Sequence, residues 1–415
     1  MHYLDRLATA AVVLLPVLAL LVKGGANGCL YLLTLVSLIS IMFRRRWAEV
    51  NFGQFLKQFW PLHLSMAGIT LAIFLHQFSS GSLNIKTYDI PSRLAYFALI
   101  AWVAMLLPLR YLKAVQWGIP VGAIAAAIKA HIIMTAAPLG DHVGFLNKIP
   151  FGGLSLLLGV FSILSIGWDQ RRNKWAVALK ILGGCAGIYS SYVCLTRGAW
   201  LALPVLAAIA VALIRRFHVR HKLAVLGVVL VSLGTIYGLS STVQSRIQLA
   251  ADDIAQFRSG ENLDTSLGIR FQHWRGSWEL FKEHPYFGVG RENFYPDALS
   301  ELRQRNIISE MASRFVHPHS EFFFNMATLG IFGVLAYLAL HLVPACFFYK
   351  AAMEEDHELR IAGGMGLALV LGYFVFGLTE VIFFTTAACS FFSIMAAVFF
   401  ACVVKRRQTI AGHSI

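Results

Sequence analysis

Residues 382–404 read IFFTTAACSFFSIMAAVFFACVV, and Lys405, Arg406 and Arg407 follow at once. A helix of roughly 20 apolar residues crosses the ~30 Å hydrocarbon layer of a bilayer, and this run carries no charged side chain. Because lipid cannot hydrogen-bond to the backbone, only helices and closed barrels span a membrane. The run does not alternate in polarity, so it indicates a transmembrane helix.

Similar runs recur along the whole chain. Hydrophobic residues make up 58% of the 415 positions and charged residues 13%, whereas a soluble domain carries roughly 25% charged residues. We therefore predict an all-α integral membrane protein with about twelve transmembrane helices. The predicted spans lie near residues 7–22, 27–43, 58–76, 93–110, 114–134, 151–169, 175–194, 199–214, 223–240, 321–349, 361–379 and 382–404.

Basic residues between the spans predict the orientation. With about twelve spans all the basic clusters fall on one side, which the positive-inside rule makes the cytoplasm, together with both termini. Binding to nucleic acid would need one contiguous basic face, so the net charge of +14 reflects topology, and we expect no nucleic-acid partner. The clusters are Arg44–Arg46, Arg110 with Lys113, Arg171 and Arg172 with Lys174, residues 215–222, and Lys405–Arg407.

One outer connection, residues 241–320, is much longer than a turn needs, and such loops are usually functional or disordered. Its aromatic residues favour an ordered, mostly helical loop. From residue 267 to 281, Arg270, Trp274 and Trp278 follow helical spacing and share one face. The Pro-Tyr-Phe-Gly-Val-Gly segment at 285–290 ends that helix. The chain thus divides into helices 1–9 (residues 1–240), the outer loop (241–320), and helices 10–12 with a cytoplasmic C-terminus (321–415).

Three outer arginines are candidates for phosphate binding. Arg197 lies between two spans with almost no loop, where its side chain either snorkels to the lipid headgroups or binds phosphate oxygens with both arms of its guanidinium. Arg270 and Arg275 lie on the amphipathic loop helix. They are either solvated surface charges or are held at the membrane surface by an interfacial helix.

Two histidines precede the tenth span, in Val316-His317-Pro318-His319-Ser320-Glu321. If Ser320 is the N-cap, His319 lies at the helix entry, where the helix dipole favours neutral imidazole, the form that a general base requires. The alternatives are histidines that only cap or pack, and a His-x-His metal site. We expect no metal, because the sequence shows no acidic or cysteine ligand cluster beside them.

The order of these residues resembles the O-antigen ligase and polymerase superfamily over about residues 189–333. The matching features are an arginine at a short inter-span turn (Arg197), Arg270-x-x-x-Trp274, Pro285-x-x-Gly288-x-Gly290, and His319 opening a span that continues to Leu329-Gly330-Ile331-Phe332-Gly333. Ser320 stands where the family often has asparagine after this histidine, so His317 competes with His319 for the role.

The resemblance implies a metal-independent, GT-C-like glycosyltransferase without a cofactor in a Gram-negative inner membrane. Such an enzyme moves a glycan from undecaprenyl diphosphate to an acceptor in the periplasm, which for a ligase is a sugar hydroxyl of lipid A-core. Arg197 and Arg270 would stabilise the leaving diphosphate, and His319 would activate the acceptor hydroxyl. Weaker candidates for binding the diphosphate or the acceptor are Arg275, Lys129, His317, Glu380 and Arg291. Lys129 and Glu380 are ionisable residues at or near membrane depth, and either could equally be a structural ion-pair partner.

Ligase is the first expectation within the superfamily. Polymerases usually show two sizeable outer loops, whereas one is evident here, and protein O-oligosaccharyltransferases tend to carry an additional soluble C-terminal region. The alternative is an O-antigen polymerase or a related periplasmic glycan transferase. A flippase or secondary transporter would also be expected to show inverted repeats with broken helices at mid-membrane, and no such halves are evident in the sequence.

Overall fold

In the computed structural model the uncharged run at 382–404 forms most of the last helix, which lies at the centre of a helical bundle. The structure describes residues 2–42, 50–137, 140–168, 173–214, 241–291 and 294–412, with single positions at 220, 223, 224, 227, 235 and 238.

The first half of the chain forms twelve described helices. They are α1 (His2–Leu21), α2 (Gly25–Met42), α3 (Phe52–Gln58), α4 (Trp60–Ser80), α5 (Ser92–Ala95), α6 (Phe97–Leu106), α7 (Leu109–Lys113), α8 (Val115–Ala136), α9 (Lys148–Leu164), α10 (Lys174–Val193), α11 (Arg197–Trp200) and α12 (Leu203–Ala212). A two-stranded antiparallel hairpin, β1 (His142–Val143) and β2 (Leu146–Asn147), joins α8 to α9.

The second half contributes the outer loop and the last three long helices. The loop forms α13 (Ser241–Ser259), α14 (Ser266–Glu283), α15 (Phe294–Gln304) and α16 (Glu310–Ser313), and the long helices are α17 (Glu321–Ala352), α18 (His357–Thr379) and α19 (Thr386–Gly412).

Within the described residues, nine helices are long and apolar enough to cross a membrane, and two shorter apolar helical segments, Ser92–Leu106 and Gly198–Ala212, coincide with two further predicted spans. The nine long helices and the two shorter segments together account for eleven of the predicted spans. The span predicted at 223–240 lies outside the described residues except for five single positions. The chain is thus a multi-pass membrane protein built almost entirely of helices.

The last helix is buried on every side. All residues of the apolar window in α19 are buried, and α18, α6 and α2 pack against it. A surface helix keeps one polar face, and this run has none, so it can pack against protein all round. The basic residues Lys405–Arg407 belong to this helix, which continues to Gly412. Lys405 Nζ donates a hydrogen bond to the Met105 carbonyl at 2.8 Å.

The basic flanks of separate helices meet at this end of the bundle. Lys113 Nζ lies 2.8 Å from Glu358 Oε1, and Arg406 contacts Asp356 at 2.7 Å. The hydrogen bond from Arg406 is the main reason that the pKa of Asp356 is lowered. The clusters at 44–46, 171–172 and 215–216 lie outside the described residues.

The outer loop is ordered and helical, with its own small core of apolar side chains. The helix expected from 267 to 281 spans Ser266–Glu283, because the Thr265 hydroxyl accepts the Gly268 N–H and caps its start. Arg305 makes two hydrogen bonds to the Glu283 carboxylate, at 2.6 and 3.1 Å. The core residues include Ile269, Leu280, Leu299, Leu302, Ile308 and Ala312.

Helix α17 breaks at Gly330 (φ 61°, ψ −147°), and the segment 285–290 of the outer loop fills the break. Val289 N–H donates to the Ala327 carbonyl at 3.0 Å, Gly290 N–H to Thr328 at 2.9 Å, and Ile331 N–H to Pro285 at 2.8 Å. The glycine-rich segment that ends α14 therefore also replaces the hydrogen bonds that the broken helix loses.

Gly288→Ala should destabilise the protein by about 2 kcal/mol or more. Gly288 has φ 68°, which costs an alanine about 1 kcal/mol, and its new methyl would overlap the Thr328 backbone, which adds an overpacking cost of about 1–3 kcal/mol. Gly81→Ala is the matched control, since Gly81 has φ 66° but open space around it. Thermal unfolding in detergent would contradict this prediction if both variants lost the same stability.

Candidate active site at the outer ends of α17 and α18

The turn before α17 holds His319 in a left-handed conformation, with φ 48°. This conformation is uncommon for a residue other than glycine and is found preferentially at functional sites. Ser320 is the N-cap residue as expected, although its side chain makes no capping hydrogen bond. The surrounding residues therefore hold the backbone in a conformation that fixes the direction of the His319 side chain.

His319, His317 and Glu380 meet at this turn. His319 Nδ1 lies 3.3 Å from Glu380 Oε2, and His317 Nδ1 lies 3.9 Å from Glu380 Oε1. Glu380 directly follows α18, and its Oε1 also accepts the Val381 N–H at 3.0 Å. Three candidates that the sequence analysis considered separately thus form one cluster.

Burial and charge act in opposite directions in this cluster. Burial alone would raise the pKa of Glu380, but the hydrogen bond from His319 and the nearby histidines outweigh it, so the pKa is lowered. For His317, burial is the largest effect and lowers its pKa despite the attraction of Glu380. The arrangement favours an ionised carboxylate beside a neutral His317.

A third histidine lies behind this turn and was not singled out from the sequence. His273, on α14, is fully buried, and the Phe315 ring contacts both it and His319, with centroid distances of 6.1 and 5.6 Å. Burial, followed by the proximity of His319 and His317, lowers the pKa of His273 to about 4. The sequence feature that could have pointed to His273 is its position directly before Trp274 in the Arg270-x-x-x-Trp274 motif.

Helix α14 is attached to the His317–His319 turn through Trp274. Its indole Nε1 donates to the Pro318 carbonyl at 3.1 Å, and its ring stacks on Phe323 at 5.2 Å. Arg270 is half-buried one turn earlier on α14, on the face that Trp274 shares, whereas Arg275 is exposed. The structure thus brings the helix of Arg270 to the histidine cluster.

The turn that carries Arg197 packs against the end of α18. It follows Leu195, which has φ 52°, and Gly198 lies so close to Thr379 that a methyl group there would overlap the threonine hydroxyl. Thr379 immediately precedes Glu380. The backbone of Arg197 therefore lies beside the segment that supplies the carboxylate.

A second buried network lies behind the cluster, and its carboxylate and amide were not predicted from the sequence. Glu321 is 1% exposed; its Oε2 accepts the Phe383 N–H at 3.0 Å, and its Oε1 accepts from Asn325 at 3.2 Å. Arg291 donates to Asn325 Oδ1 at 2.6 Å and lies over the Phe324 ring at 4.8 Å. These contacts fix the first turn of α17 to the turn after α18.

Lys129, another predicted binding residue, has structural partners. Its Nζ donates to the Leu20 carbonyl at 2.8 Å and to Leu21 at 3.3 Å, and it lies 4.5 Å from the centre of the Phe145 ring. Carbonyls at a helix C-terminus lack helical partners. Lys129 therefore caps the end of α1.

These features define a multi-pass helical membrane protein with a polar cluster at one end, beneath a helical loop. Residues 182–338 match the family described as O-Antigen ligase, close to the 189–333 expected from the motifs. This match covers fewer than half of the 415 residues and supports an O-antigen ligase-family protein. The chain is also 23% identical over 300 residues to an uncharacterized protein of Haemophilus influenzae, covering 70% of this chain and 73% of that protein. Members of the family are glycosyltransferase-like ligases and polymerases.

Proposed function

We propose that this protein is an O-antigen ligase. It transfers a glycan from undecaprenyl diphosphate to a sugar hydroxyl of lipid A-core, with inversion at the anomeric carbon and no metal cofactor. The observation that carries the proposal is the contact between His319 and Glu380 at the outer helix ends, in a chain whose residues 182–338 match the ligase family.

His319 is the general base in this proposal, and Glu380 positions it. When the His319 Nδ1–H donates to Glu380 Oε2, the lone pair of the ring lies on Nε2, which is free to accept a proton. A carboxylate that holds the other ring nitrogen fixes both the tautomer and the orientation of a histidine. The left-handed backbone of His319 and the ring of Phe315 restrict the imidazole further.

The acceptor hydroxyl attacks the anomeric carbon and gives its proton to His319 Nε2. A new bond forms between the acceptor oxygen and that carbon, the bond to the phosphate oxygen breaks, and undecaprenyl diphosphate leaves with the electron pair. Arg197 and Arg270 stabilise the charge that develops on the leaving diphosphate, because preorganised cations are most effective where charge appears in the transition state.

The membrane arrangement in this proposal is GT-C-like, with about twelve helices and both termini in the cytoplasm of a Gram-negative cell. The meeting of Lys113, Arg406 and Arg407 with acidic residues at the opposite end from His319 supports it, since basic flanks remain cytoplasmic. The site then faces the periplasm, and the bilayer holds both lipid-linked substrates in one plane.

Lipopolysaccharide from a strain that lacks the gene tests the proposed function. A ligase predicts core without O-chain and accumulation of the lipid-linked glycan. Core that carries a single repeat unit would instead indicate a polymerase. Unglycosylated core with an intermediate trapped on the cytoplasmic side would indicate a flippase.

Glu380→Gln should lower kcat by about a hundredfold, the low end of the 10²–10⁴ that general acid–base catalysis contributes, because the base remains but its tautomer and orientation are no longer fixed. KM for the donor should stay nearly constant, because Glu380 does not contact the diphosphate in this mechanism. Glu380→Asp, which keeps the charge, should recover part of the rate. Steady-state transfer with purified protein measures both constants, and a rise in KM with unchanged kcat would contradict the positioning role.

A further inference from the structure

The cluster of His317, His319 and Glu380 has the composition of a metal site. Each residue offers one ligand atom, and the three atoms lie within 4.8 Å of one another. The side chains are 19%, 19% and 11% exposed, respectively, so the cluster is largely enclosed but not sealed from solvent.

Two imidazole nitrogens and one carboxylate oxygen form a His₂Glu ligand set, which binds zinc in metalloenzymes and leaves a fourth position open. Zinc ligands at about 2.0–2.2 Å in a tetrahedron lie roughly 3.4 Å apart. His319 Nδ1 lies 3.3 Å from Glu380 Oε2 and His317 Nδ1 lies 3.9 Å from Glu380 Oε1, so each imidazole is close to that spacing from one of the two carboxylate oxygens. All three ligand atoms lie within 4.8 Å of one another, so binding zinc requires the side chains to move closer together.

The tertiary structure brings a carboxylate ligand, Glu380, to two histidines that lie far from it in the sequence. The expectation of no metal rested on the absence of an acidic or cysteine ligand cluster beside His317 and His319 in the sequence, and Glu380 reaches them from 61 residues beyond His319. The carboxylate is oriented by the Val381 N–H, and the rings of Phe384 and Phe315 contact His317 and His319, respectively. Such outer contacts hold ligands in the orientation that a metal requires.

We propose that His317, His319 and Glu380 bind one zinc ion, and that the bound ion inhibits the protein. Zinc takes the lone pair of His319 Nδ1 and replaces the contact with Glu380, so the neutral ring carries its proton on Nε2 and cannot accept another there. The binding part stands independently of the proposed function, whereas the inhibition part rests on it.

The binding test uses the full-length protein in detergent, stripped with EDTA and dialysed against Zn²⁺ alone. We expect one zinc per chain at micromolar concentration, and at least about tenfold weaker binding in His317→Ala and in Glu380→Gln. His284→Ala is the matched control, since His284 is exposed and lies at the end of α14. Absence of a saturable site, or equal zinc binding by the control and both cluster variants, would overturn the proposal.

A second measurement needs no variant and so does not depend on variant folding. Diethylpyrocarbonate modifies accessible histidines, and zinc should slow modification of His317 and His319 at least about tenfold while leaving His284 unchanged. Equal rates with and without zinc at all three positions would overturn the proposal.

The inhibition test adds zinc to the transfer reaction. Metal-stripped protein should be fully active, saturating zinc should reduce the rate at least about tenfold, and EDTA should restore it. Full activity with the site occupied would overturn the inhibition part. A protein with no transferase activity under any condition would overturn the proposed function, and the zinc-binding measurements would still decide the site.

Discussion

The His319→Asn variant should transfer glycan about a thousandfold more slowly than the unmodified protein, because general acid–base catalysis contributes roughly 10²–10⁴ to the rate. Asparagine is the preferred replacement because it tolerates the left-handed backbone at this position and cannot act as the base. The turn before α17 should therefore keep its shape while the chemistry is lost.

Purified protein, undecaprenyl-diphosphate glycan and rough lipopolysaccharide provide the assay for this variant. His284→Asn, an exposed histidine elsewhere in the outer loop, is the control and should retain normal activity. Near-normal transfer by His319→Asn together with loss in His317→Asn would assign the base to His317. Normal transfer by both variants would rule out the proposed mechanism.

The second large effect is expected at Arg270. Removing one preorganised charge-stabilising donor costs roughly 10²–10³ in kcat, so Arg270→Ala should lose about that much. Arg270→Lys should recover only part of the rate, because an ammonium group cannot bind two phosphate oxygens with the fork geometry of a guanidinium. Arg197→Ala should behave in the same way.

Arg275→Ala is the matched control, since Arg275 is exposed on the same helix whereas Arg270 is half-buried. Stability in detergent is measured in parallel, because Arg270 lies one turn from Trp274, which attaches α14 to Pro318. Equal loss of activity in the Arg270 and Arg275 variants would show that general loop charge, rather than a specific phosphate contact, is responsible.

Local features predicted the helices well. The helix over 267–281 was recognised from its spacing, and the structure extends it by only one or two residues at each end. The break in α17 was not predicted: residues 329–333 read as part of one continuous apolar run, whereas Gly330 adopts φ 61° because residues 285–290 insert beside it. A break caused by a distant segment leaves little trace in the local pattern.

The candidate site was predicted in part. His319, His317 and Glu380 were all named from the sequence, but as separate possibilities. Glu380 was assigned to the diphosphate, to the acceptor or to a structural ion pair, without a named partner. Glu321 and Asn325 were missed because each reads as a tolerated polar residue in the first turns of a span. Arg291 was a weaker candidate for binding the diphosphate or the acceptor, and in the structure it donates a hydrogen bond to Asn325.

The uncharged run at 382–404 illustrates what the sequence determined by itself. Transfer of a helix into lipid depends on about twenty consecutive side chains, so the membrane class and most of the spans are local properties that can be read directly. Only the tertiary structure decided that this run forms the buried centre of the bundle, and that Glu380, just before it, meets His319 at 3.3 Å. Such a contact depends on how α17 and α18 pack along their whole length, and no local pattern encodes that packing.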